Sequence, residues 1–539
     1  LRSEAYQVYE RLLKYWARFQ EARKEIPEDQ DGEGITNKEW TTHLLDELRW
    51  GRPNAGTGIV FNEREYKIKR FSGHVPLHLV GCNQPLDRRG SSTSIPHGMV
   101  QEFLNASDDH LWAIVTNGLQ LRLLRDNPAL SRMAFVEFDL EAMMEDPSLF
   151  PDFLIFWHLC HHSRLEHSVP EETWLEKWSQ GAIQDGAPVL DKLRVGVEQA
   201  VVHLGKGFLE HRANEALRDK IRNQELSALE YYRQLLRIIY RLLFLFVSED
   251  RKLLHSPDAS EDARKTFDEF YSTRRLRELA DSMRGTPHAD LWHQLSLLFH
   301  AMGDPEGCPQ LGLPALGSFL WRANPSSTPD LDGPRPGSEG SVVQISNKNL
   351  LSAIRSIAYL QDDRDKAYRP VDFRVLDTQA FGSVYESLLE LHPYFDTNGR
   401  NFELRSSSGA DRKQTGSYYT PDSLVQCLLD SALEPVLKKK LEGKSAQEQE
   451  QALLSMKVCD PAVGSGHFLI SAAHRLAYRL SRITSGDTEP SPEAYQEALR
   501  KVTASCLYGV DLNPMAVELC QFTLWLESVE PGKPFAFLD

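Results

Sequence analysis

The chain has 539 residues, enough for about two to four domains, and 41% hydrophobic with 26% charged residues is an ordinary globular composition. A net charge of −16 excludes a protein that coats nucleic acid non-specifically, because phosphate attraction needs a positive surface; any basic surface must be local. No apolar run approaches the roughly 20 residues of a membrane span. No signal-peptide pattern is visible, and the chain opens on Leu1, not Met, so the true start is expected upstream. Seven scattered cysteines predict buried thiols in a reducing cytoplasm, not a disulfide framework.

Residues 1 to about 50 read as helical, since Tyr6, Tyr9, Leu12, Leu13, Trp16 and Phe19 recur at helical spacing. Strands are predicted at Gly58–Phe61, Glu65–Phe71 and Pro76–Cys82, then a short helix near Met99–Leu104. Further strands follow at Leu111–Thr116, Gln120–Leu124 and Ala134–Phe138, with Asn117-Gly118 a strong hairpin signal between two of them. From about Pro151 to Ala323 the pattern is helical. Leu226, Leu229, Tyr232, Leu235, Ile239 and Phe246 lie on one long apolar stripe, and Arg233, Arg237 and Arg241 mark another face. That pattern predicts a core helix with a solvated edge in preference to a DNA-facing arginine row. His158, Cys160, His161 and His162 are metal-binding types at poor spacing, without a second ligand pair, so no metal is expected. Residues 324–341, rich in proline, glycine and serine, predict a loop or linker.

Chemistry accumulates towards the end. Thr415-Gly416-Ser417-Tyr418-Tyr419-Thr420-Pro421 precedes an amphipathic helix, Leu424–Leu437, with Thr420 placed as N-cap and Pro421 as the first helical residue. Two tyrosines ahead of that start offer flat faces to a planar ligand or a sulfonium cation. Val458-Cys459-Asp460-Pro461 leads into Gly464-Ser465-Gly466 and an apolar run from His467, which reads as strand, tight turn, helix. In an open α/β sheet, ligands sit outside the carboxyl end of such a strand. The glycines let a ligand approach the backbone, and the helix start offers free N–H groups. Leu507-Tyr508-Gly509-Val510-Asp511-Leu512-Asn513-Pro514 repeats the scheme, with an acid where nucleotide-binding folds grip ribose, or where a helix merely needs an N-cap.

Taken together the three segments resemble the opening motifs of S-adenosylmethionine-dependent adenine-N6 DNA methyltransferases with the gamma motif order. The likeness is strongest over 415–530 and looser over 50–400, and is most like type IIG restriction–modification enzymes and the methyltransferases of phage-defence systems of the DISARM or BREX kind. The resemblance implies an α/β chain: a nuclease-like module over 1–150, a helical connector over 151–400, and the front of a Rossmann-like class I methyltransferase domain over 401–539. It implies that Tyr418, Tyr419, Thr420 and Pro421 border the methionine part of S-adenosylmethionine. Asp460, Ala462, Gly464, Ser465 and Gly466 would line the same region, with Asp460 accepting from the ammonium group and Phe468 anchoring the turn. Asp511 would accept from the ribose hydroxyls and Leu512 would pack on the adenine ring.

The front of the chain is similar to the nuclease-like module of fused restriction–modification enzymes, through Leu111–Gly118 and Leu121-Arg122-Leu123. Cutting in that family needs a carboxylate and then Glu-x-Lys on the next strand to hold a divalent ion. Glu65-Tyr66-Lys67 spells the triplet one strand too early, so the module is expected to be degenerate. Phe381–Glu390 resembles the helix leading into the methyltransferase domain. The Asn/Asp-Pro-Pro-Tyr/Phe tetrapeptide that performs the chemistry in this family is absent between Leu1 and Asp539, so no catalytic residue is assigned and the chain is expected to be the front part of a larger protein. The expected activity is adenine-N6 methylation of double-stranded DNA in a cytoplasmic restriction–modification or defence system, with other defence subunits as further partners and no membrane. The alternatives are a bifunctional endonuclease–methyltransferase and a non-catalytic, cofactor-binding scaffold subunit.

Overall fold

In the computed structural model, the apolar residues spaced through the first helix, α1 (Arg2–Arg23), are those it buries: Ala5, Val8, Tyr9, Leu12, Trp16 and Phe19. The structure describes all residues except 1, 28, 52–53, 56–57, 62–63, 69, 89–94, 108, 127–134, 316–318, 322–330, 332–342, 362–365, 375–381, 383–387, 389–390, 397, 407–419, 421, 487–489 and 531–539. Most of the 324–341 linker and of the Phe381–Glu390 segment therefore lies outside the described residues. The chain divides into two compact units, Leu1–Asp185 with Leu441–Leu453 and His474–Leu499, and Gly186–Lys440 with Leu454–Ala473 and Arg500–Asp539.

In the first unit, six strands form one sheet in the order β1 (Asn54–Ala55), β4 (Arg70–Ser72), β5 (Val75–Leu79), β6 (Trp112–Thr116), β7 (Gln120–Arg125), β8 (Phe135–Asp139). Among the described strands of this sheet only β5 and β6 run parallel, and the connection between them carries α2 (Pro96–Ala106), as a parallel pair requires. The Asn117-Gly118 hairpin forms as predicted: Gly118 takes φ 82°, and Asn117 Oδ1 accepts from the Leu119 and Gln120 amides at 3.1 and 2.8 Å. Alternation along the strands splits the burial. Leu77, Ile114, Leu121 and Leu123 join the core of α1, while Ala113, Val115 and Leu124 pack with Phe103 of α2. The predicted strand Glu65–Phe71 is two strands: β3 (Arg64–Tyr66) pairs with β2 (Ile59–Phe61) in a separate hairpin, and only β4 joins the main sheet. The chain leaves strand geometry between them, where Ile68 turns fully inward.

The second unit is mainly helical and is centred on α3 (Ala228–Asp250), whose residues are nearly all buried from Tyr231 to Ser248. Two short antiparallel pairs, β9 (Tyr359–Gln361) with β10 (Tyr368–Pro370) and β11 (Leu391–Phe395) with β12 (Phe402–Ser406), accompany it. The solvated arginine edge expected on α3 is corrected. Arg241 is buried; its Nε donates to the Leu320 carbonyl at 2.8 Å, and its guanidinium lies over the rings of Phe299 and Trp321. Aromatic faces and a carbonyl replace water around the cation. The helix predicted over Leu424–Leu437 is realised as α4 (Asp422–Leu428) and α5 (Glu434–Leu441), joined by a π-helical turn at Leu429–Leu433.

Candidate functional site

β13 (Val458–Asp460) and β14 (Leu507–Gly509) are parallel neighbours, with Asp460 opposite Gly509. Between them the chain runs through α6 (His467–Ser485) and α7 (Pro492–Cys506), which accounts for the long separation of the two acids. The strands end side by side and stay joined beyond their last residues. The Val510 amide donates to the Asp460 carbonyl at 2.9 Å, and the Val463 amide to the Val510 carbonyl at 3.0 Å. The Gly464 amide then donates to Asp511 Oδ2 at 3.0 Å, while Asp511 Oδ1 accepts from the Asn513 amide at 2.8 Å. Asn513, not Asp511, caps α8 (Pro514–Ser528), accepting from the Met515 amide at 3.1 Å, with Pro514 in the first turn. The capping reading of Asp511 is thereby removed; its carboxylate bridges the two turns.

The turn after β13 is built from left-handed backbone at Gly464 (φ 53°) and Gly466 (φ 91°), conformations that side chains resist. A Cβ on Gly466 would stand 2.8 Å from the Cys520 sulfur on α8. Asp460 Oδ1 accepts from the Ala462 amide at 3.0 Å, which folds the acid back over its own turn. Its other oxygen, Oδ2, is buried and has no hydrogen-bond partner among the described residues. An unmatched buried acceptor costs about 1–3 kcal/mol, so a donor is what this atom lacks. Asp460, Pro461 and Phe468 line an open, mainly apolar pocket of about 410 Å³, with Leu428, Leu433 and Val436 on its other side. Cys520 sits under both acids; burial, aided by the Asp460 and Asp511 carboxylates, pushes its thiol up to about 12, which makes it packing and not a nucleophile.

Six of the residues singled out by sequence, Asp460, Ala462, Gly464, Ser465, Gly466 and Asp511, thus lie on two joined turns. Phe468 lines the adjoining cavity, and Leu512 is fully exposed (103%) beyond Asp511. Thr420 is half-buried, while Tyr418, Tyr419 and Pro421 lie outside the described residues. The sequence reading passed over Cys520 and Thr523, which back the turn from α8; their signal is only a small and a polar residue on a helix face that is otherwise Leu, Phe and Trp. It also did not place Gly382, which is buried with its Cβ position 3.4 Å from Ser465.

The other candidates gather no comparable site. Glu65 is exposed on β3, away from the six-stranded sheet, and Lys67 follows it, also exposed. Trp50 Nε1 donates to the Cys160 carbonyl at 2.8 Å and its ring packs edge-on to His162, so the His/Cys tract is packing. Among the described residues no group of three or more His, Cys, Asp or Glu could hold a metal ion. No described helix is long and apolar enough to cross a membrane.

Two parallel strands that each end in an acidic turn, one of them glycine-rich, make an α/β crevice of the type in which cofactors sit. Residues 377–534, which contain both turns, match the family of N-6 DNA methylases. The chain is 30% identical over 184 residues to the putative type II restriction enzyme and methyltransferase RM.MjaORFECS2P of Methanocaldococcus jannaschii, across 29% of this chain and 14% of the relative. It is 30% identical over 117 residues to the adenine-specific methyltransferase PglX of Streptomyces coelicolor, across 22% of this chain and 8% of that one. The chain thus spans only a small part of the length of either relative. Among solved structures it is similar to the type IIL restriction–modification enzyme MmeI in complex with DNA (TM-score 0.36, 16% identity, 62% of this chain and 38% of that one). It is also similar to the DrdV–DNA complex (TM-score 0.26, 13% identity, 98% and 39%).

Proposed function

We propose that the protein transfers a methyl group from S-adenosylmethionine to the N6 amine of adenine in double-stranded DNA, within a cytoplasmic restriction–modification or phage-defence system. The observation that carries this reading is the Gly464–Asp511 hydrogen bond, which draws the two acidic turns into one crevice beside an Asp460 oxygen still wanting a donor. The match of that stretch to N-6 DNA methylases supports it. On this reading residues 1–150 are a nuclease-like module without a cutting trio, 151–400 a helical connector, and 401–539 the front of a Rossmann-like methyltransferase domain.

The residues present fit the cofactor. When bound, S-adenosylmethionine supplies a methyl group made electrophilic by its sulfonium. Asp460 Oδ2 would accept from the cofactor ammonium, the donor it lacks among the described residues. Asp511 keeps lone pairs beyond those used by Gly464 and Asn513 and would accept from the ribose hydroxyls. Leu512 would cover the adenine ring, an apolar contact that its complete exposure leaves open. Ala462, Gly464, Ser465 and Gly466 would let the methionine part approach the backbone, Phe468 would hold the turn, and Tyr418, Tyr419, Thr420 and Pro421 would border that same methionine part. Transfer by direct displacement then depends on positioning and on acceptors aimed at the amine. The Asn/Asp-Pro-Pro-aromatic run that would supply those acceptors does not occur in these 539 residues. The test is incubation of the intact protein with duplex DNA and isotope-labelled S-adenosylmethionine, followed by mass spectrometry of the nucleosides. Labelled N6-methyladenine is expected. Cofactor binding without any labelled base would replace this reading with a scaffold role.

A further inference from the structure

The glycine turn has a floor as well as a roof. Asp511 holds it at Gly464 from one side, and on the other α8 presses against it along one short face. Thr523, fully buried, places its hydroxyl 2.7 Å from the Ser465 carbonyl, with the Cys520 and Leu519 carbonyls of its own helix at 2.9 and 3.2 Å. One hydroxyl proton serves these three acceptors, and the shortest contact is the one that leaves the helix. The Ser465 carbonyl shares its rigid peptide with the Gly466 amide, so its direction sets where that amide points. The Gly466 amide of that peptide donates to the Val463 carbonyl at 2.8 Å within the turn, and Thr523 holds the opposite, carbonyl end, where both flanking residues are glycines with positive φ. The helix that carries Thr523 is itself anchored: Phe522 stacks on Tyr240 with ring centres 5.9 Å apart, and Trp525 on Phe244 at 3.9 Å, both on α3. A helix so fixed is a reference against which the turn can be aligned.

From this placement we infer that Thr523 is a positioning residue for the cofactor turn: its hydroxyl holds the Ser465 peptide so that Gly464, Gly466 and Asp460 present one fixed surface to S-adenosylmethionine. Thr523 does not touch the cofactor. The inference rests on the cofactor reading of the crevice.

The experiment compares the intact wild-type protein with Thr523→Val, Thr523→Ser and Thr523→Ala by calorimetric titration with S-adenosylmethionine, with thermal melting of each. Thr523→Val keeps the volume and removes the hydroxyl, and is expected to weaken binding about tenfold with a melting temperature lowered by a few degrees at most. Thr523→Ser restores the hydroxyl and should restore affinity. Should the valine variant not fold, the serine and alanine variants carry the comparison, with serine expected to bind as wild type and alanine about tenfold more weakly. Equal affinity of the hydroxyl-bearing and hydroxyl-free variants overturns the inference. Failure of the wild-type protein to bind overturns instead the cofactor reading on which it stands, so the two failures are told apart in one series.

Discussion

Two polar clusters, one in each unit, look alike in composition and differ in what they leave over. On the six-stranded sheet, buried Arg122 pairs with Asp87, donates to Glu137 at 2.6 Å, and meets the buried His97 ring nitrogen at 3.2 Å. Each carboxylate faces the same guanidinium, so the cluster is closed on itself. At the end of β13, by contrast, Asp460 has spent one oxygen on its own turn and kept the other buried and unmatched among the described residues. A polar group that finds its partners inside the chain serves the fold. One that the fold has buried without a partner has been kept for something else, at a cost in stability.

That contrast can be broken or sharpened by substitution. The largest effect is expected from Gly466→Val, which forces a branched side chain onto φ 91° and into the Cys520 sulfur. S-adenosylmethionine affinity should fall by about a hundredfold or more in calorimetry. Arg122→Met takes from Asp87 and Glu137 the guanidinium they share and should cost about 3 kcal/mol in urea unfolding, with cofactor affinity unchanged.

Acid should act on the closed cluster through His97. Burial, with Arg122 beside it, holds the imidazole down at about 4 from its ordinary 6.5, against a smaller opposing pull from Asp87. The folded chain therefore refuses a proton that the unfolded chain accepts, and this contribution to stability is lost as pH falls from 6.5 towards 4. Between pH 6.5 and 5 the loss should be about 2 kcal/mol, and His97→Gln should flatten that slope in denaturation curves. Asp511→Asn keeps the shape of the bridging side chain but weakens it as an acceptor, and should cost about tenfold in cofactor affinity. The smallest effect, none, is expected for Lys67→Ala in a magnesium-dependent cleavage assay; cleavage abolished by that change would turn the front of the chain back into a working nuclease.

Much of this was legible in the sequence because the signals are local. Asn117-Gly118 needs only its own backbone preferences to make a hairpin, and the two acid-ended strands carry glycines and a proline at fixed offsets. What was not legible depends on partners distant in the chain. The arginines of α3 read as a solvated edge because nothing nearby announces that Phe299, Trp321 and the Leu320 carbonyl will receive Arg241. Glu65 and Phe71 read as one strand because alternation alone does not reveal the break that sends them to different sheets. Thr523 went unnoticed because a threonine on an apolar helix face has no meaning until the Ser465 carbonyl is set against it.

The most direct test is Asp460→Ala in the intact protein, followed by thermal melting and by calorimetric titration with S-adenosylmethionine. Removing a carboxylate whose inner oxygen meets no donor among the described residues should leave the melting temperature unchanged or raise it, while binding is lost. A variant that melts lower yet takes up the cofactor as tightly as the wild type would contradict the account.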